Sequence, residues 1–180
     1  MTTMDVHELT ILARAEWPAG PDDTPETMPR IAGFVVSDFN PLVAEVAERC
    51  LRAHHGSAPA DAKRGATTGV VLASRCGDTA THDEVHGALR EGRRVMPLLF
   101  FQSNPNAVVG HVTARWGLAG PVVCTSPLGD PLADGIAVAE LLIEDDAATE
   151  VLVIAADLAQ DDGPDRAVAL LVAGPRAEEG

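Results

Sequence analysis

Short, uninterrupted apolar runs are the feature that most restricts how this chain can fold. The runs read GVVLAS at 69–74, PVVC at 121–124, EVLVIA at 150–155 and AVALLVA at 167–173. A strand that is apolar along its whole length has to be covered on both faces, as strands are in a sheet that lies between helices. The runs therefore predict an α/β fold rather than an antiparallel sheet with one solvated face.

The segments between these runs carry helical patterns and turn signals. Asn40 and Pro41 favour the start of a helix, because Asn is a good N-cap and Pro suits the first turn. Apolar residues then recur at helical spacing until His54, His55 and Gly56 close the helix. Further helices are predicted at 83–91, 105–116 and 130–143, a first strand at 8–17, and loops at 18–30 and 57–68.

The order of these segments predicts the architecture. Strands and helices alternate until the final two strands, which the turn at 160–165 allows to pair as a hairpin. The fold class is therefore α/β, with a five-stranded mixed, mostly parallel sheet flanked by helices. A chain of 180 residues is expected to form a single domain, 1–180.

The chain is strongly acidic, with 27 Asp and Glu against 13 Lys and Arg and a formal net charge of −14. Such a surface repels phosphate, so we expect no nucleic-acid partner and no membrane partner. We see no secretory signal, and no apolar run approaches the ~20 residues of a membrane helix, so a cytoplasmic protein is expected. The three cysteines lack Cys-x-x-Cys spacing and are expected to be reduced thiols.

The sequence NPNAVVGHVTARWGLAGP at 104–121 is the most specific motif in the chain. It resembles the helix that precedes the active-site strand of ketosynthases (β-ketoacyl synthases), which belong to the thiolase-like superfamily. The fit is closest to the chain-length-factor-like, truncated branch of that family, and residues 1–68 fit it less well. The motif residues are Asn106, Gly110, Trp116, Gly117 and Gly120. The resemblance implies the N-terminal half of a thiolase-like fold.

The resemblance also implies where a nucleophile should lie. A ketosynthase carries its catalytic Cys at the start of the helix after the Gly-Pro strand, and that position here is Gly129. The catalytic His pair of the family is expected to be absent, because it belongs to the second half of a ketosynthase. Cys124 lies five positions before Gly129. Either Cys124 is a buried strand residue and the site is lost, or a shortened loop makes Cys124 the nucleophile. Asp130, at the helix start, opposes the second alternative because its charge raises the pKa of a nearby thiol.

Two further residues are weak candidates for chemistry. His111 matches a family position on a structural helix, where a core or hydrogen-bonded role is favoured over that of a base. Cys76 follows a predicted strand end, where α/β sheets often bind ligands, but no recognisable base accompanies it.

No cofactor and no metal are expected. His82 and His86 are spaced to share one helix face, but no third ligand is apparent, so a solvated face is favoured. His54 and His55 lie at a predicted helix C-terminus, which indicates a capping role. No nucleotide-binding fingerprint is present.

These observations favour a catalytically deficient ketosynthase-like accessory or structural subunit in polyketide or fatty-acid biosynthesis. A half-fold exposes a sheet edge, so we expect a homodimer or a heteromer with a ketosynthase, with an acyl carrier protein in the same pathway. One alternative is a small acyl-thioester transferase or hydrolase that uses Cys124, and another is a small-molecule binding module. The predicted interface comprises Pro121, Val122, Val123, Cys124, Thr125, Phe100 and Phe101.

Overall fold

The computed structural model describes residues 9–159 and 163–175, which form five strands and six helices. Glu8 of the first predicted strand and residues 160–162 of the predicted turn lie outside the described residues. The elements are β1 Thr10–Trp17, α1 Phe39–His55, α2 Ala62–Thr67, β2 Thr68–Ala73, α3 Thr79–Arg90, α4 Pro97–Gln102, α5 Pro105–Trp116, β3 Val122–Thr125, α6 Pro131–Glu144, β4 Glu150–Asp157 and β5 Arg166–Ala173.

The strands form one mixed sheet in the order β1-β5-β4-β2-β3. Strand β2 pairs in parallel with β3 on one side and with β4 on the other, whereas β5 is antiparallel to both β4 and β1. The predicted five-stranded mixed sheet and the β4–β5 hairpin are confirmed. Parallel pairing is confined to β4, β2 and β3, because the short connection between β4 and β5 forces the chain to reverse.

Each face of the sheet is covered by helices, as the apolar runs require. Alternate strand residues such as Leu72 and Leu152 pack against α1 and α5 in the larger core. The intervening residues, such as Val71 and Val153, pack against α6 in the smaller one. None of the helices in residues 9–159 and 163–175 combines the length and the apolar character that a membrane span requires.

The start of α1 differs from the sequence prediction. The helix begins at Phe39 after Asp38, and Asn40 lies inside it, fully buried, rather than at the N-cap. Its side-chain amide donates hydrogen bonds to Ser37 Oγ, Asp78 Oδ2 and the Gln102 backbone oxygen. The prediction of an N-cap was therefore wrong, because Asn40 satisfies buried polar groups of other segments instead of its own helix.

Two short helices occupy segments without a predicted helix, and a third helix begins earlier than predicted. Helix α2 lies in the predicted loop at 57–68, with the Asp61 side chain capping its N-terminus. Helix α4 carries Phe100 and Phe101 of the predicted interface. Helix α3 begins at Thr79 because the Asp78 carboxylate accepts from the backbone N–H of Thr81.

Glycines permit a close contact between the α5–β3 connection and β2. Gly117 ends α5 with a left-handed φ of 69°, a conformation that glycine adopts without strain. A Cβ on Gly120 would lie 2.6 Å from the backbone carbonyl of Thr68. The Gly120 N–H donates to that carbonyl oxygen, and the next residue of the connection accepts from the N–H of Val70. The motif glycines thus set how β3 approaches β2.

This contact generates a stability prediction. Gly120→Ala should lower the free energy of unfolding by about 1–3 kcal/mol, because the added methyl group has to push backbone atoms apart. Gly129→Ala is the matched control, since a Cβ there meets no heavy atom within 4 Å. Urea denaturation of both variants tests the difference, and equal stability would contradict the packing argument.

Candidate active-site region

Strand β3 lies at the edge of the sheet and presents Cys124. Cys124 pairs with Leu72 of β2 and is half-buried. Its Sγ donates a hydrogen bond to Asn106 Oδ1 of α5, 3.2 Å away, and burial raises the pKa of the thiol. An amide oxygen accepts from S–H but offers nothing to a thiolate. The surroundings of Cys124 therefore favour the protonated, unreactive form.

The helix that follows β3 has few donors free at its N-terminus. Asp130 is the N-cap, and its Oδ1 accepts from the backbone N–H of Leu132 at 3.0 Å. Pro131, at the first helical position, has no N–H to donate. A thiolate or oxyanion placed here would meet a carboxylate and would find the Leu132 N–H already used.

Gly129 immediately precedes that N-cap. It is exposed, and a Cβ built on it meets no heavy atom within 4 Å. The position therefore has space for the side chain that the family resemblance implies, but the residue present has none.

His111 lies beside an aromatic ring. The imidazole is half-buried on α5 and lies edge-on to Phe34, with 6.1 Å between ring centroids. It lines an apolar groove of about 490 Å³ together with Phe100 and Phe101, which are 60% and 64% exposed. In the described part of the chain, no imidazole hydrogen-bonds to Cys124.

At the carboxyl end of β2, the chain is anchored by Asp157, a residue that the sequence analysis missed. The Asp157 carboxylate accepts from Ser74 Oγ at 3.0 Å and from Arg75 Nε at 2.8 Å. This ion pair lines one side of a cleft of about 650 Å³ that also includes Asp130 and Leu132 of α6. The sequence feature that could have identified Asp157 is its position at the end of the apolar strand β4, where parallel sheets place ligand-binding residues.

The other two cysteines lie in opposite environments. Cys76 is exposed in the loop after β2. Cys50 is fully buried in the larger core, and burial raises the pKa of its thiol to about 11. The structure thus brings no pair of these thiols into a disulfide.

The histidine pairs also differ from one another. His82 and His86 lie on α3 with ring centroids 4.3 Å apart, and His82 is largely exposed. His54 and His55 end α1, as predicted, but the fold brings Glu150 at the start of β4 beside them. Sequence analysis missed that third residue because it is far away along the chain.

The predicted interface residues lie on one strand and one short helix. Val122 to Thr125 form β3, and Pro121 immediately precedes it. Val122 is 45% exposed, and among the described residues no strand pairs with the outer edge of β3. Trp116 of the motif is buried, and its Nε1 donates to Glu48 Oε2 at 2.8 Å, which ties α5 to α1.

Solved structures share this fold at low sequence identity. A chain of "Ketosynthase (ApeO) in Complex with its Chain Length Factor (ApeC) from Xenorhabdus doucetiae" matches with a TM-score of 0.69 and 19% identity, over 93% of this chain and 79% of that one. A chain of the ishigamide ketosynthase/chain length factor matches with a TM-score of 0.67 and 19% identity, over 89% of this chain and 49% of that one.

A third match is a chain of the AntDE:AntF complex, a type II PKS acyl-carrier protein with its ketosynthase bound to the hexaketide. Its TM-score is 0.67 at 14% identity, over 92% of this chain and 62% of that one. In the second and third matches the chain spans less than two thirds of its relative's length.

The sequence itself matches a family model over most of its length. No curated protein matches it. Residues 20–164 match the model described as "Beta-ketoacyl synthase, N-terminal domain". The motif at 104–121 lies within this range, and the mixed sheet with its flanking helices is that of the ketosynthases. The chain therefore belongs to the β-ketoacyl synthase N-terminal domain family, and its fold is thiolase-like.

Proposed function

We propose that this chain is a catalytically deficient, ketosynthase-like subunit that acts as an accessory partner of a ketosynthase in polyketide or fatty-acid biosynthesis. The observation that carries the proposal is the glycine at position 129, where the family resemblance implies the nucleophilic cysteine. Its neighbourhood offers no compensation, because the next two residues are an acidic N-cap and a proline.

The physical requirements of the nucleophile explain why this matters. A cysteine attacks a thioester as a thiolate, and the free N–H groups and positive end of a helix lower its pKa and bind the oxyanion. Here the Asp130 carboxylate takes the Leu132 N–H, and Pro131 supplies none. A thiol introduced at Gly129 would receive less of this stabilisation, so the catalytic deficiency extends beyond the loss of one side chain.

Cys124 is a poor replacement for the missing nucleophile. It belongs to β3 and not to the start of α6, and burial raises the pKa of its thiol. Its polar partner is the Asn106 amide oxygen rather than an imidazole that could accept its proton. These contacts support a structural role for Cys124.

The edge of β3 supports association with a partner. An unpaired strand edge beside exposed apolar side chains is a surface that proteins normally cover. Val122 is half-exposed on β3, and Phe100 and Phe101 are exposed on α4. The similar structure from Xenorhabdus doucetiae is described as a ketosynthase in complex with its chain length factor, which favours a heteromer over a homodimer.

Acyl transfer to this chain tests the deficiency. When the protein is incubated with malonyl- and hexanoyl-carrier protein thioesters, intact mass spectrometry should show no acyl adduct. An active ketosynthase in the same mixture, which should become acylated, is the control. A stable adduct that disappears in Cys124→Ser would overturn the proposal.

Thiol reactivity gives an independent prediction. Iodoacetamide should modify Cys76 first, Cys124 more slowly, and Cys50 only after unfolding, because exposure falls in that order and burial raises the pKa of the last two. A time course followed by peptide mass spectrometry measures the order. Faster alkylation of Cys124 than of Cys76 would indicate an activated thiolate and contradict the structural role.

Association is tested by co-expression with the ketosynthases of the same genome. We expect a complex by native mass spectrometry, and Val122→Glu should weaken it by about 3 kcal/mol or more, because it buries an unpaired charge. Leu141→Glu, on the exposed side of α6, is the matched control and should leave the complex intact. If the chain purifies without a bound partner after co-expression with each of these ketosynthases, the proposal is contradicted.

A further inference from the structure

Three potential metal ligands meet at the amino end of the sheet, away from the Gly129 region. His54 and His55 are the last two residues of α1, and Glu150 is the first residue of β4. Their nearest ligand atoms all lie within 4.8 Å of one another, and the two imidazole centroids are 4.8 Å apart. Each of the three residues is half-buried.

Two atoms of this cluster are buried without a hydrogen-bond partner. They are His55 Nε2 and Glu150 Oε2, and each is fully shielded from solvent. Buried nitrogen and carboxylate oxygen atoms almost always have partners, since leaving them unpaired costs free energy. One cation between them would satisfy both atoms at once.

The electrostatics of the site also favour a cation. The C-terminal end of α1 carries the negative end of the helix dipole, and Glu150 adds a carboxylate. Burial, followed by the neighbouring His54, lowers the pKa of His55.

We propose that His54, His55 and Glu150 form a binding site for a divalent transition metal, with Zn²⁺ as the best-fitting ion. Two imidazole nitrogens and one carboxylate oxygen are a ligand set that Zn²⁺ accepts, with water completing the coordination. The site is independent of the proposed accessory function, because it lies at the opposite end of the parallel strands from Gly129 and the N-terminus of α6.

The Arg64 guanidinium competes with this metal for a ring nitrogen of His54. Its guanidinium nitrogen lies 3.0 Å from His54 Nε2, and because Arg only donates, the imidazole nitrogen accepts. Metal binding at that nitrogen has to displace Arg64, whose side chain is at the surface and free to move into solvent. Removing the guanidinium should therefore tighten metal binding rather than weaken it.

The test is a zinc titration of the tag-free, metal-stripped chain by calorimetry, with ZnCl₂ as the ligand. We expect one equivalent to bind, and Glu150→Gln and His55→Gln to weaken binding by at least about tenfold, since even residues that only orient metal ligands have effects of that size. The double variant His82→Gln/His86→Gln is the matched control and should retain the binding.

Arg64→Gln gives a readout that loss of folding cannot imitate, because the expected result is tighter binding. Circular dichroism verifies that each variant is folded, and the visible absorption of added Co²⁺ reports nitrogen and oxygen coordination. Unchanged zinc affinity in both Glu150→Gln and His55→Gln would overturn the proposal. So would binding that is lost in the His82→Gln/His86→Gln control, or an Arg64→Gln variant that binds no more tightly.

Discussion

Strand β2 hydrogen-bonds to β3 on one side and to β4 on the other, and all six of its residues are buried. The position of every other feature depends on these two parallel pairings. They place the carboxyl ends of β2 and β4 beside the start of α6, where the Ser74–Asp157 and Arg75–Asp157 contacts form. They also place the first residue of β4 beside the end of α1. Gly120 makes the approach of β3 possible, because its backbone lies against Thr68 without room for a side chain.

The two ends of the parallel strands β2, β3 and β4 have different chemistry. At the carboxyl end, Asp130 and Pro131 leave the N-terminus of α6 with little capacity to bind an anion. A helix N-terminus normally attracts negative charge. Here the Asp130 carboxylate already accepts from the Leu132 N–H, and Pro131 has no N–H to offer an anion. At the amino end, the C-terminus of α1 and Glu150 create the opposite potential, which favours a cation. The proposed accessory function and the proposed metal site therefore rest on separate parts of the molecule.

Much of the fold could be predicted from the apolar pattern alone. The runs at 69–74, 150–155 and 167–173 became β2, β4 and β5 nearly residue for residue, because a strand that is apolar along its whole length is stable where helices cover both faces of the sheet. The helix at 105–116 also had the predicted bounds, since Asn104 and Gly117 supply local start and stop signals. Asn40 was misplaced because its side chain bonds to Asp78 and Gln102, which are distant in sequence and invisible to any local rule.

The sequence by itself determined the family, the alternation of strands and helices, and the absence of a thiol at position 129, because these depend on residue identity and local spacing. Only the tertiary structure decided that Cys124 donates to Asn106, that Asp157 anchors Arg75, and that Glu150 lies beside the histidines ending α1. The physical reason is that hydrogen bonding and metal coordination act over a few ångströms in space. Spacing along the chain carries no information about such contacts until strand pairing and helix packing have brought the segments together.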